Sequence, residues 1–200
     1  MLEVIIMKKL LALFVSFALI IGLTACSLQK DNSVSQDNGK EETLAENTAE
    51  TVNIGDPVKV GDITVKFTSY EWADVIKPSD TENALRVYPN QEGEKYFVVR
   101  GTVENNGKNA YDFDGIGPFG DLTINDHYEF ALWATEETLD GKNFVGAYDY
   151  LMPLQSRGFI LYVNINDEVY NLAETVRLDF ELSDNEGTEK PYTMILPAQK

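Results

Sequence analysis

The run Val176-Arg177-Leu178-Asp179-Phe180-Glu181-Leu182 alternates apolar and charged residues without a break. Successive side chains of a strand point to opposite faces, so this pattern buries one face and wets the other. The same period of two recurs along the chain. Ile63, Val65 and Phe67 make one such face, Phe97, Val99 and Val103 another, and Phe159, Leu161, Val163 and Ile165 a third. Leu122 and Ile124 precede the turn-forming Asn125-Asp126-His127, and Tyr128, Phe130 and Leu132 follow it, which predicts a hairpin. A last strand is expected over residues 192–196, ending before Pro197. No segment keeps a 3.6-residue period, and residues 134–141 hold a helical turn at most.

Seven or eight strands buried on one face imply antiparallel sheets, and those faces need a second sheet to cover them. The expected fold is therefore all-β, an antiparallel β-sandwich of immunoglobulin-like type, with polar turns at Asn106-Gly107 and Asn185-Glu186-Gly187. The chain has a single cysteine, so no intrachain disulfide supports this sandwich. Its core rests on packing of inward aliphatic and aromatic residues, each contributing about 1.5–3 kcal/mol on burial. By the strand phase read here, Trp72 and Trp133 point outward, although a slip of one residue would bury both.

The front of the chain is of another kind. From Met7 it reads Met-Lys-Lys, then an apolar run over residues 10–23 broken by Ser16, then Thr24-Ala25-Cys26. A short basic start, an apolar segment of about a dozen residues and small residues before a cut describe a secretory signal. Such a run is short for a bilayer span, which needs about 20 residues. Because Met7-Lys8-Lys9 already begins such a signal, residues 1–6 read as an upstream start, with Met1 and Met7 both open as the point where translation begins.

Leu23-Thr24-Ala25-Cys26 resembles the bacterial lipobox, in which leucine, a variable residue and alanine or glycine precede an obligatory cysteine. The resemblance implies cleavage between Ala25 and Cys26, a thioether-linked diacylglycerol on Cys26, and a place at the extracytoplasmic face of the cell membrane. Only a cysteine sulfur can carry that thioether. Each buried CH₂ of the acyl chains contributes about 0.8 kcal/mol, which makes a doubly acylated anchor stable. With Cys26 consumed, no thiol chemistry remains.

Residues 1–25 thus read as a signal peptide, 26–52 as the lipidated cysteine and a polar tether, and 53–200 as the β-domain. The tether, residues 27–51, has no aromatic residue and scattered charge, too little apolar surface to offset ordering entropy. A flexible coil of that length averages roughly 25–30 Å end to end.

Loss of the leader removes Glu3, Lys8 and Lys9 and leaves 32 acids against 14 bases, a net charge of −18. That charge repels phosphate backbones, so nucleic acid is excluded as a partner, while an envelope protein or a cationic ligand is favoured.

A second resemblance runs from Gly55 to Leu196. It is carried by Gly55-Asp56 with Val58 and Val60, by the strand from Phe67 to Trp72, by Gly93-Glu94-Lys95-Tyr96-Phe97-Val98-Val99 running to Asn105-Asn106, and by Leu178-Asp179-Phe180. Together these are similar to the immunoglobulin-like domains of unknown function found on lipoproteins of Firmicutes. The resemblance implies a fold and an extracytoplasmic setting, and it brings no catalytic residues.

Chemistry-bearing patterns are few. His127, the only imidazole, falls at a hairpin tip, and no nucleophile elbow, Ser-x-x-Lys or phosphate-cradling glycine loop occurs. No cofactor is expected. Two stretches offer oxygens to Ca²⁺, Asp112-Phe113-Asp114-Gly115 and Asn164-Ile165-Asn166-Asp167-Glu168, but neither has the spacing of a calcium loop. The segments around Phe119 and around Tyr148 and Tyr150 hold more aromatic and apolar residues than a solvated loop needs, so these three side chains are the expected partner surface. The expected function is a non-enzymatic binding or scaffold module displayed from the membrane. The alternative is an envelope enzyme or inhibitor that uses the acidic loops, with Ca²⁺.

Overall fold

The structure is a computed structural model that describes residues 48–113, 118–145 and 149–199. Ala25, Cys26, the leader and the tether up to residue 47 lie outside the described residues, as do Asp114, Gly115 and Tyr148.

The domain is a β-sandwich. Its strands are β1 (Glu50–Thr51), β2 (Pro57–Val60), β3 (Ile63–Ala73), β4 (Val75–Ile76), β5 (Tyr88–Pro89), β6 (Glu94–Asn105), β7 (Gly120–Ile124), β8 (Tyr128–Glu136), β9 (Ser156–Asn166), β10 (Thr175–Ser183) and β11 (Glu189–Pro197). Nine of them follow one hydrogen-bonded order, β1-β11-β10-β7-β8-β9-β6-β3-β2. That run folds over at β8. Residues Tyr128 to Leu132 pair with β7, and residues Trp133 to Glu136 pair with β9. A strand that changes partner along its length lets one sheet turn back on itself as two layers. The strands of four or more residues number eight among the described residues, within the expected range.

The alternation read from the sequence becomes the core. Val176, Leu178, Phe180 and Leu182 from one layer face Val65, Phe67, Phe97, Val99, Phe159 and Leu161 from the other, all buried. Phe67 sits at the centre, edge-on to Phe159 at 5.6 Å and to Phe180 at 5.3 Å. Such aromatic pairs add about 0.5–1.5 kcal/mol beyond their buried area.

Several local features differ from, or sharpen, the sequence reading. Trp72 is half-buried rather than outward, stacked edge-on against Phe97 at 5.0 Å. The cause is a bulge in β3: Phe67 pairs with Gly101 and Ser69 with Arg100, so Thr68 is the extra residue and the inward phase passes from Phe67 to Tyr70 and Trp72. Trp133, with no such slip before it, is 44% exposed, as its phase predicts. A short helix, α1 (Asp167–Leu172), follows β9, although no segment of the sequence shows a helical period. Asn166 caps it by accepting from the Val169 N–H at 2.9 Å, Asp167 and Glu168 occupy the first turn, and Val169 is buried.

Residues 134–141 contain no helical turn. Ala134 to Glu136 finish β8, and the Gly141 N–H donates to the Thr138 carbonyl to close a turn. Pro197 is the last residue of β11, paired with Thr175. At the other end of the chain, Glu50 and Thr51, read as the end of the tether, lie parallel to β11 opposite Tyr192 and Thr193.

The outer face of β6 and β9 carries a second small core. Val98 and Ile160 are covered there by Ile76 and Tyr88 from the segment that contains β4 and β5, and by Phe144 from the loop that follows β8. Glu137, buried at the end of β8, holds this cover by accepting from the Ser79 hydroxyl at 2.5 Å and lying 3.9 Å from Arg100.

Candidate functional site: an apolar ridge at one end of the sandwich

Of the three side chains expected to meet a partner, the structure describes Phe119 and Tyr150 and separates them. Phe119 is half-buried and turns into the end of the core, 5.2 Å from Phe113 and 5.7 Å from Phe180. It closes the sandwich. Tyr150 is 43% exposed and begins a ridge completed by Met152 at 51% and Leu154 at 82%. Leu151 lies between them, fully buried, and exchanges two backbone hydrogen bonds with Tyr111 at 2.8 and 2.9 Å. Alternation thus sends Leu151 inward and its neighbours Tyr150 and Met152 to solvent.

The turn that carries the ridge is made by Met152-Pro153-Leu154-Gln155. The Gln155 N–H donates to the Met152 carbonyl, and the Gln155 side chain accepts from the Met152 N–H, both at 3.1 Å. Proline at the second position and a positive φ at the third are the marks of a type II turn. The third position favours glycine or asparagine, yet here it is Leu154 with φ +62°. An L residue with a branched side chain in that region costs about 1–2 kcal/mol. The strain is held by the surroundings, and it places an apolar side chain in solvent.

Asn105, at the end of β6 and fully buried, does the holding. Its backbone N–H donates to the Gln155 carbonyl and its carbonyl accepts from the Leu154 N–H. Its side-chain amide donates to the carbonyls of Asn109 at 2.7 Å and Leu151 at 3.0 Å, while its side-chain oxygen accepts from the Gly107 N–H at 2.9 Å. One side chain therefore ties together the 105–111 turn and the ridge. Arg157 holds the approach to the ridge. Its guanidinium, nearly buried, donates to the Asp149 carbonyl at 2.7 Å, the Asp149 carboxylate at 3.1 Å and the Tyr150 carbonyl at 3.3 Å. The Tyr111 hydroxyl donates to the Ser183 carbonyl at 2.9 Å, and burial pushes that phenol up to about 12.

Asn105, Leu154 and Arg157 carried no functional weight in the sequence. Asn105 reads as one more polar residue before a turn, and Leu154 as a loop leucine. Only Pro153, which presets the second position of a turn, hinted at the arrangement.

The other sequence candidates behave as structural residues. His127 is exposed in the β7–β8 loop, its N–H donating to the Ile124 carbonyl and its ring edge-on to Tyr128 at 4.8 Å. Of the stretches considered for Ca²⁺, Asn166 is committed as a helix cap and the Asn164 amide donates to the Glu94 carboxylate. Asp112 is exposed, and Asp114 lies outside the described residues. Among the described residues, no group of three or more His, Cys, Asp or Glu is placed to hold a metal.

No curated protein matches the chain. Among solved structures, it is similar to an uncharacterized β-sandwich protein from Clostridium difficile 630, at 19% identity and a TM-score of 0.63, over 76% of this chain and 96% of that one. Weaker likenesses are to a functionally unknown protein from Listeria monocytogenes EGD-e, at 12% identity and a TM-score of 0.44 over 72% and 82% of the two chains, and to the yjhA protein from Bacillus subtilis, at 13% and 0.41 over 74% and 99%. The Clostridium likeness supports the sandwich fold alone. In sequence, residues 52–146, a stretch that includes Asn105 and stops short of the ridge, match the family described as Domain of unknown function (DUF4352).

Proposed function

We propose that this protein is a lipoprotein anchored through Cys26 at the extracytoplasmic face of the membrane, and that its sandwich is a non-enzymatic module gripping an envelope protein by the Tyr150–Met152–Leu154 ridge. The observation that carries the reading is Leu154, 82% exposed at a φ of +62°. Strained residues persist where the surroundings hold them, and they cluster at sites of recognition. Exposed apolar side chains that are contiguous, rather than scattered, mark contact surfaces. Tyrosine and methionine are enriched in such surfaces.

The strand directions suit this placement. β1 runs parallel to β11, and β11 starts from the 184–188 turn, where Asn185 donates to the Asn109 carbonyl in the same end of the sandwich as Asn105. The chain therefore enters its domain from the ridge end.

The test is photo-crosslinking in intact cells with a reactive group at residue 152, followed by mass spectrometry. One partner is expected, reduced at least tenfold by Tyr150→Ala combined with Leu154→Asn, since asparagine tolerates the same backbone and removes the apolar group. A partner captured equally by the double variant, or no crosslink under any growth condition, overturns the reading.

A further inference from the structure

The outer face of β8 and β9 carries a feature the ridge does not explain. Beyond the covered patch over Val98 and Ile160, the face opens into a groove of about 550 Å³. Trp133 and Tyr162 stand directly opposite each other across β8 and β9, and Tyr96 adds a third ring 6.2 Å from Tyr162. Ala131 leaves room beside Trp133, and Asn164 at the rim donates to the Glu94 carboxylate.

Carboxylates flank the groove. Glu129 shares the outward phase of Ala131 and Trp133, and Asp121 pairs with Ala131 across β7 and β8, so both exposed carboxylates stand on the same face. Asp121 and Glu129 thus flank the groove beside Ala131, and Glu94 flanks it beside Asn164, while no lysine or arginine lines it. Two arginines of the outer face are engaged elsewhere. Arg177 contacts Asp126 and Asp179, each at 2.9 Å, and Arg100 contacts Glu71 at 3.2 Å and Glu137 at 3.9 Å.

Ring faces carry negative charge and attract cations within about 6 Å of the centroid. The domain already uses this chemistry internally, with Arg86 4.9 Å above Tyr88 and Lys95 5.9 Å above Tyr170. We propose that the Trp133–Tyr162–Tyr96 groove is a second contact site for a basic peptide segment, one lysine ammonium seated over the rings and the flanking Glu94, Asp121 and Glu129 attracting its neighbours. Charge complementarity selects the occupant. Anionic ligands are repelled, and an apolar one would leave three carboxylates beside it without a counter-charge.

Calorimetry on the full chain at low salt tests this, with pentalysine as the probe and fully acetylated pentalysine as the neutral control. Pentalysine binds and the control does not. Trp133→Ala and Tyr162→Ala each weaken binding by about threefold to thirtyfold, the span of cation–π contacts. Glu129→Gln with Asp121→Asn weakens it with the rings intact. Tyr150→Ala leaves it unchanged, which separates this site from the ridge. Trp133 is already half in solvent, so its alanine variant should melt within a few degrees of wild type. Unchanged affinity in Trp133→Ala means diffuse attraction to an acidic protein and overturns the proposal, as does equal binding of the acetylated peptide.

Discussion

Replacing Asn105 with alanine deletes three hydrogen bonds at once, to the carbonyls of Asn109 and Leu151 and from the Gly107 N–H. Each contributes about 0.5–1.5 kcal/mol net, and a buried partner left without a bond costs about 1–3 kcal/mol. Partial access of water to the 105–111 turn lowers the second figure, so the expected loss is about 2–4 kcal/mol, a large part of a stability that is typically 5–15 kcal/mol. Urea unfolding followed by far-ultraviolet dichroism should show a lower midpoint with little change in slope. Hydrogen exchange locates the effect, because the amides of Gly107 and Leu154 should exchange at least tenfold faster while those of β10 change only with global stability. Asn105→Asp is at least as damaging, since it sets a carboxylate against the two carbonyls that the amide served. A loss below about 1 kcal/mol in the alanine variant, or an exchange change spread evenly over the domain, refutes the view that this one side chain holds the ridge.

Leu154→Gly relieves the strain at φ +62° and should raise stability by about 0.5–1 kcal/mol while abolishing partner capture, and a fall in the urea midpoint would contradict this. Phe67→Ala, at the fully buried centre of both layers, should cost about 3–5 kcal/mol in the same assay. The Tyr111 phenol titrates near 10 when unfolded and at about 12 when folded. The unfolded chain therefore releases this proton first, and the stability it represents is intact below pH 10 and lost between pH 10 and 12, to the extent of about 2–3 kcal/mol. Tyr111→Phe should flatten that alkaline limb, and an unaltered limb would place the lost stability elsewhere.

What the sequence disclosed follows from how local each signal is. The face of β10 was legible because Val176, Leu178, Phe180 and Leu182 alternate with charges, and all four are buried. The β7–β8 hairpin was legible because Asn125 and Asp126 tolerate the positive φ that its loop requires, and both adopt it. Trp72 was misplaced because one extra residue, Thr68, shifts every later side chain of β3, and nothing in its identity announces a bulge. Helix α1 spans six residues, too few to display a period. Val98 and Ile160 gave runs apolar on both phases, a sign of burial on two faces that makes sense only once the β4–β5 cover is seen.

The ridge lay in part within a flagged segment, at Tyr150 and Met152. Its decisive element, a leucine in a backbone slot suited to glycine, depends on Asn105, which is distant in sequence. The groove of Trp133, Tyr162 and Tyr96 needs the pairing of three strands, so no single stretch could reveal it.

Both proposed contact sites presuppose display of the domain from the membrane by Cys26. The direct measurement is the distribution of the Cys26→Ser protein between membrane and soluble fractions, with the fold checked by thermal unfolding. The variant is expected to leave the membrane or be mislocalised, with its melting curve unchanged. Retention of the folded variant in the membrane at the wild-type level would mean that the apolar leader itself is the anchor and that Cys26 carries no lipid needed for attachment.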